Sequence, residues 1–231
     1  MTQRVVVAYS GSPESTSLIS TLAREPGAEV VTLTVDVGQG GELQAVRDRA
    51  LAAGAIRAHV IDARDEFARG YALPALQAGI PQGGWRRLVR SLSRPLVEAK
   101  LRDIAAIEKA TIATDVPPHD VDANLLGRVV TGDRHLLTRP AAGAPDAPAC
   151  VEIAFEGGVP VAINDVSLGL TELIESLSII AGQHGVGRVE DVEAPAGVVL
   201  HVALRGGGHG VVRMKLLKGT CERLPELVTE S

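Results

Sequence analysis

The sequence predicts an α/β protein, a parallel-sheet nucleotide-binding domain followed by a smaller α+β part. Three observations predict it. An apolar run at 5–10 (VVVAYS) leads straight into a small hydroxyl-rich loop at 11–16 (GSPEST) and then into a helix-patterned segment from Leu18. Apolar strand-like runs and helix-patterned segments then alternate as far as residue 113. Beyond about residue 120 the texture changes to paired β runs joined by proline- and glycine-rich connections. Strand–helix–strand alternation implies parallel strands with right-handed crossovers, and such sheets hold their ligands at the carboxyl ends of the strands.

Taken in order, residues 5–10 read as the first strand, 16–24 as a helix, 29–37 as the second strand and 38–41 as a loop. Residues 42–53 have helical spacing and stop at Gly54, a suitable residue to follow a helix end. A third strand at 56–61 precedes a helical piece at 65–78, a breaker-rich turn at 79–84, a helix at 91–108 and a short apolar run at 110–113. Residues 115–122 and 139–149 are polar or proline-rich and read as exposed connections, with an ambiguous stretch at 124–138 between them. The runs 151–155 and 159–163 flank Glu156-Gly157-Gly158 and predict a β-hairpin. Residues 170–184 form an amphipathic helix, 198–204 a second apolar segment, and GGGHG at 206–210 a flexible joint before a strand at 211–217. The domains expected are a nucleotide-binding domain over 1–118 and a reduced α+β domain over 119–231.

Composition sets the broad class. A chain of 231 residues can bury a core as one domain plus an appendage, and with 2% aromatic residues that core is aliphatic. A formal charge of -5 argues against a nucleic-acid binder, which needs a broad basic surface. Cys150 and Cys221 form no metal spacing and no disulfide framework, which fits free thiols in a reducing cytosol. No uncharged apolar stretch approaches about 18 residues, and no basic-then-apolar leader opens the chain, so a cytoplasmic protein with no membrane span is expected. The six histidines include no i, i+4 metal pair. His119 with Asp115, Asp120 and Asp122 can hold magnesium if the segment folds over phosphates, and reads otherwise as a polar loop.

The loop after the first strand carries the functional signal. A helix start offers unpaired N–H donors and partial positive charge, so it suits an anion. Gly11 lets the backbone come close, and Ser10, Ser12, Ser15 and Thr16 offer hydroxyl donors. The same residues also suit a plain helix cap with Glu14 beside it and no ligand. The loop lacks the Gly-Lys-Ser/Thr of a Walker A sequence and is not the three-glycine dinucleotide fingerprint. Farther on, Trp85, Arg86, Arg87 and Arg90 read either as a solvated basic helix start or as guanidinium forks for a carboxylate or phosphate.

Seven collinear runs, AYSGSPEST (8–16), VDVGQGGEL (35–43), SLSRPLVEAKL (91–101), DANLLGR (122–128), VEIAFEGGVPVAIN (151–164), AGQHGVGRVE (181–190) and VRMKLLKG (212–219), resemble the argininosuccinate synthase family over most of the chain. The resemblance implies an N-type ATP pyrophosphatase domain of the adenine nucleotide alpha hydrolase-like class, whose loop pattern is Ser-Gly-Gly-x-Asp-Ser/Thr-Ser/Thr. It also implies ATP and Mg2+, with ATP adenylating the ureido oxygen of citrulline. By this resemblance Ala8, Ser10, Gly11, Ser12, Ser15 and Thr16 hold the nucleotide and Val35 lies at the adenine. Here the second glycine is Ser12, the aspartate is Glu14, and Pro13 stiffens the turn.

The acceptor half departs further. Where the family has a glycine-rich run carrying Thr, Asn, Asp and Arg that holds aspartate and citrulline, this chain has only DVPPHD at 115–120. The citrulline-facing tyrosine is matched by Arg86, while the neighbouring serine persists as Ser91. Two serines flanking the Asn-Leu-Leu-Gly block are matched by Asp120 and Val129, and a further glutamate and tyrosine before Glu193 are absent. The long helical and oligomerisation region before the last strand is reduced to the GGGHG joint. A polar substrate is lost when its partners vanish. The expectation is therefore an ATP-dependent, adenylate-forming ligase with an altered amino-acid or carboxylate substrate, Arg86, Ser91 and Arg94 lining the acceptor pocket. The alternative is a non-catalytic nucleotide-binding or partner-dependent homologue. Either is expected to self-associate, a homodimer by default, or to take a partner subunit.

Overall fold

The computed structural model describes residues 3–81, 84–113, 122–132, 134–205 and 207–225. Two compact units make up the chain, Met1–Arg64 with Ser91–Val121, and Asp65–Arg90 with Asp122–Ser231. Residues 65–90, which the sequence assigns to the first domain, thus pack with the second unit.

The first unit is built on a four-stranded parallel sheet of order β3-β2-β1-β4, from β1 (Gln3–Ala8), β2 (Ala28–Asp36), β3 (Arg57–Asp62) and β4 (Thr111–Ile112). β2 is buried from Val30 to Asp36, as befits a central strand covered on both faces. Helix α1 (Pro13–Leu22) starts three residues before the sequence expectation, because Ser12 caps it and proline is at ease in the first turn. With α2 (Leu43–Ala52) it contributes to a cluster of Val7, Tyr9, Ile19, Val30, Ala50 and Ala55. The helix expected at 91–108 is α6 (Arg94–Glu108), and a separate α5 (Gly84–Ser91) precedes it.

The second unit holds α3 (Arg64–Phe67) from Asp65 onward, a π-helical turn at Ala68–Ala72 and α4 (Leu73–Ala78), a run the sequence reads as one helix. Its main sheet is antiparallel, of order β13-β12-β7-β8-β9, from β7 (Ala149–Glu156), β8 (Val159–Ile163), β9 (Val166–Ser167), β12 (Gly210–Leu217) and β13 (Thr220–Arg223). The β7–β8 hairpin turns on Gly157 and Gly158, both left-handed, which is the two-residue turn that matches strand twist. Alternate residues of β7 and β12 point into a core with α7 (Leu170–Gln183) and α8 (Pro195–Leu204), where Ile153, Leu173, Leu177, Leu200 and Met214 are fully buried. The apolar run at 198–204 is thus helix, opened by Pro195.

A smaller antiparallel sheet, order β10-β11-β6-β5, joins β5 (Ala123–Asn124), β6 (Gly127–Val129), β10 (Arg188–Val189) and β11 (Val192–Glu193). Glu193 is fully buried there. Burial pushes its carboxyl up, but the Thr138 hydroxyl at 2.6 Å and the N–H groups of Leu136, Thr138 and Leu137 outweigh that and hold it low. Arg188 completes the network by donating to the hydroxyl and carbonyl of Thr138.

A second buried carboxylate ties the first unit together. Glu108 ends α6, its side chain 1% exposed, and sits at the amino ends of the parallel strands. His59 Nε2 and Arg57 Nη1, both from β3, lie 2.7 Å from Oε1, and Arg4 of β1 bridges Glu108 to Glu29 of β2. The hydrogen bond from His59, joined by Arg57, holds the Glu108 carboxyl below the usual range against the opposing effect of burial. A carboxyl lowered by folding adds stability that is full above the ordinary glutamate range and lost as pH falls through the lower folded value. Glu108→Gln is therefore expected to cost about 2 kcal/mol in urea denaturation at neutral pH. The gap between wild type and variant should narrow at about pH 4; an unchanged gap would count against this role.

Candidate functional site

The carboxyl edge of the parallel sheet is stepped. β1 stops at Ala8, where Ala8 pairs with Leu33, whereas β2 continues to Asp36. Tyr9 N–H donates to the Leu33 carbonyl at 2.8 Å, and Thr34 Oγ1 donates to the Tyr9 carbonyl at 2.9 Å, so the chain leaves the sheet under control. Tyr9 is buried in the cluster between sheet and helix, and its hydroxyl lies 2.8 Å from Thr16 Oγ1. That contact fixes the height of α1 above the end of β1.

Between them runs the loop of the sequence expectation. Gly11 has φ +83°, a left-handed conformation in which a branched side chain is strained. Ser12 Oγ accepts from Ser15 N–H at 3.2 Å, while Ser15 Oγ and Thr16 Oγ1 donate back to the Ser12 carbonyl at 3.0 and 2.8 Å. The hydroxyls of Ser12, Ser15 and Thr16 thus serve the loop itself, as the capping interpretation expects. What the loop leaves without a partner is backbone. Among the described residues the N–H groups of Ser10, Gly11, Ser12 and Glu14 have no protein acceptor. Three of them lie just before a ten-residue helix and Glu14 N–H lies in its first turn, where the macrodipole favours an anion.

One cation joins them that the sequence reading did not single out. The point where a Cβ would sit on Gly11 lies 2.9 Å from Nη2 of Arg49, with a methyl of Val46 at 3.2 Å. Arg49 lies in the last turn of α2, one helical turn beyond Val46, and no carboxylate among the described residues pairs with it. The i, i+3 spacing of Val46 and Arg49 was visible in the sequence; that this helix face meets the first loop was not.

At the adjoining strand end, Val35 is 6% exposed, and the loop that follows folds back on it. Gln39 Nε2 donates to the Val35 carbonyl at 2.9 Å, Val37 N–H donates to Gln39 Oε1 at 2.7 Å, and Gly38 N–H donates to Asp36 Oδ1 at 2.9 Å.

The other candidates fall differently. Arg86 lies on α5 in the second unit and is ion-paired with Asp191, and Arg90 is held by Asp122 with Nε 2.8 Å from Oδ1. Ser91, half-buried at the end of α5, and Arg94, exposed at the start of α6, belong to the first unit. Trp85 is a core residue: Gly197 leaves room for its ring, which His201 meets edge-on at 6.0 Å. Asp115, His119 and Asp120 lie outside the described residues, and among the described residues no group of three or more His, Cys, Asp or Glu can hold a metal ion. Burial pushes the Cys221 thiol up to about 12, which removes it as a nucleophile, and Cys150 is exposed. No described helix is long and apolar enough to cross a membrane.

Comparison with known proteins joins the two units in one lineage. The arginosuccinate synthase N-terminal HUP domain matches residues 4–116, and the arginosuccinate synthase C-terminal domain matches 124–200. The argininosuccinate synthases of Streptococcus suis and Bacillus subtilis are 32% and 34% identical over 257 aligned positions, covering 83% of this chain and 64% of theirs. Among solved structures, the NAD+ synthetase from Burkholderia pseudomallei aligns with a TM-score of 0.33 and 20% identity, over 49% of this chain and 54% of that one. The chain spans about 64% of the length of the curated relatives it matches. Since 257 aligned positions contain only 83% of a 231-residue chain, part of that span falls opposite gaps here: the relatives carry internal residues that this chain lacks. With both of the family's domains matched in order, and with the internal shortening, the chain belongs to the argininosuccinate synthase family as a shortened member.

Proposed function

We propose that this chain is an ATP-dependent, adenylate-forming ligase whose acceptor differs from citrulline and aspartate. The observation that carries it is a set at the carboxyl edge: N–H groups of Ser10, Gly11, Ser12 and Glu14 with no acceptor among the described residues, and the Arg49 guanidinium against Gly11. Backbone donors and a fixed cation suit the β- and γ-phosphates, which depart as pyrophosphate when an acceptor oxygen bonds to the α-phosphorus. The nucleotide set comprises Ala8, Ser10, Gly11, Ser12, Ser15 and Thr16, with Val35 at the base and Arg49 added. Ser12, Ser15 and Thr16 support the loop through their hydroxyls rather than donating them to phosphate. Among the described residues no carboxylate or histidine cluster would hold Mg2+ by itself, so the ion would be held by the nucleotide's own phosphates and would supply charge neutralisation there.

Altered acceptor recognition is supported by DVPPHD standing where the family's glycine-rich substrate run belongs and by Arg86 in place of a tyrosine. Arg86, Ser91 and Arg94 remain the proposed acceptor contacts, for a carboxylate-bearing small molecule. A homodimer, or a complex with a partner subunit, in the cytoplasm is the proposed setting. The exposed Ile107, Leu136 and Ile179 are side chains that association would cover. The second reading, nucleotide binding without catalysis, is favoured by the loop hydroxyls being satisfied within the loop.

Calorimetry with ATP should detect binding to wild type, with Gly11→Val and Arg49→Ala each weakening it about tenfold or more. Equal heats for wild type and both variants would end the nucleotide assignment. Citrulline with aspartate should release no pyrophosphate from ATP, whereas a screen of small carboxylates should find one that does. Robust release with citrulline and aspartate would refute the altered acceptor, and silence across the screen with ATP still bound would favour the non-catalytic reading.

A further inference from the structure

The stepped sheet edge leaves a short piece of β2 unpaired, and the chain has filled it. Carbonyls two residues apart on a strand point the same way. Leu33 O accepts from Tyr9, the residue after β1, so Val35 O faces the same side, past the point where β1 ends. Val35 O and Val37 N–H therefore present an acceptor and a donor, side by side, at the carboxyl end of β2. Both are taken by one side chain: Gln39 Nε2 on Val35 O at 2.9 Å and Gln39 Oε1 on Val37 N–H at 2.7 Å.

A carboxamide carries its N–H donor and its acceptor oxygen on a single carbon. The 6-amino edge of adenine does the same, with the exocyclic amine and ring N1 both on C6. The two groups are interchangeable on such a backbone pair. Guanine bears the donor and acceptor in the opposite order, so it fits only when turned over, which carries its ribose away from the phosphate loop.

We propose that the Gln39 carboxamide is an internal surrogate for a 6-aminopurine edge, holding the Val35–Val37 backbone pair until the base displaces it. The inference rests on the nucleotide reading above and adds the residue that gates and selects the base. The local backbone is built for such an exchange. Gly38, Gly40 and Gly41 flank Gln39 and all have positive φ, and nothing lies within 4 Å of where a Cβ would sit on Gly40 or Gly41. The side chain can therefore leave without dismantling packed structure. Its occupancy keeps a buried strand end hydrogen-bonded in the nucleotide-free protein, at the expense of base affinity.

Two readouts on the intact protein test this. In nitrogen-15 spectra the side-chain amide of Gln39 is identified as the signal missing from Gln39→Ala. ATP should move it to the position of a solvent-exposed glutamine, while inorganic tripolyphosphate, bound at the loop alone, should leave it in place. Gln39→Ala should bind ATP about fivefold more tightly than wild type, with tripolyphosphate affinity unchanged and GTP weaker than ATP in both proteins. If ATP binds wild type but leaves the amide signal unmoved, or if Gln39→Ala binds ATP equally or more weakly, the surrogate role is overturned while the nucleotide site stands. If neither ATP nor tripolyphosphate binds either protein, both fall.

Discussion

One buried carboxylate sets the frame of the nucleotide-type unit. Glu108 gathers His59 and Arg57 from β3 and Arg4 from β1, and through Arg4 reaches Glu29 on β2, all at the amino ends of the strands. A charge this buried is tolerated only because several donors surround it, and withdrawing any of them leaves an uncompensated group. The effect is to pin three strands and the end of α6 at one edge of the sheet. The opposite edge is then free to end in steps.

Those steps make the site. Because β1 ends at Ala8 and β2 runs on to Asp36, one strand yields a loop whose N–H groups lack an acceptor among the described residues, and the next yields an acceptor–donor pair that no strand takes and Gln39 fills. Tyr9 links the two features, its backbone bonded to Leu33 and Thr34 and its hydroxyl to Thr16. The proposed anion site and the proposed base edge thus both trace to one difference in strand length. The second unit is organised by different means. Its buried Glu193 is satisfied by backbone N–H groups of a single loop and by Thr138, which in turn holds Arg188. Gly182 on α7 lets that loop pass, since a Cβ there would run into the Leu137 carbonyl.

How much of this could be read from the residues depended on whether the signal was local. The strand–loop–helix at the start, the hairpin around Gly157-Gly158 and the amphipathic α7 are encoded by neighbours in sequence, and the structure has them. The helix starts were harder. Pro13 opens α1 because Ser12 caps it, and α5 was hidden because its buried face, Trp85, Leu88 and Val89, is interleaved with three arginines. The short strands of the smaller sheet have two or three residues each, too few for any periodicity. Of the candidate site, Gly11 and the capping serines were visible as residue types. Arg49 and Gln39 were not, since one depends on which face of α2 meets the loop and the other on where β1 stops relative to β2.

The account stands on a triphosphate seated at the turn after β1. The most direct measurement is a crystal structure of the protein soaked with ATP and magnesium. The account predicts electron density for the phosphates against the N–H groups of residues 10–14 and the Arg49 guanidinium. Well-ordered density for a loop closed by Pro13 and Glu14, with the nucleotide absent at saturating concentration, would contradict it.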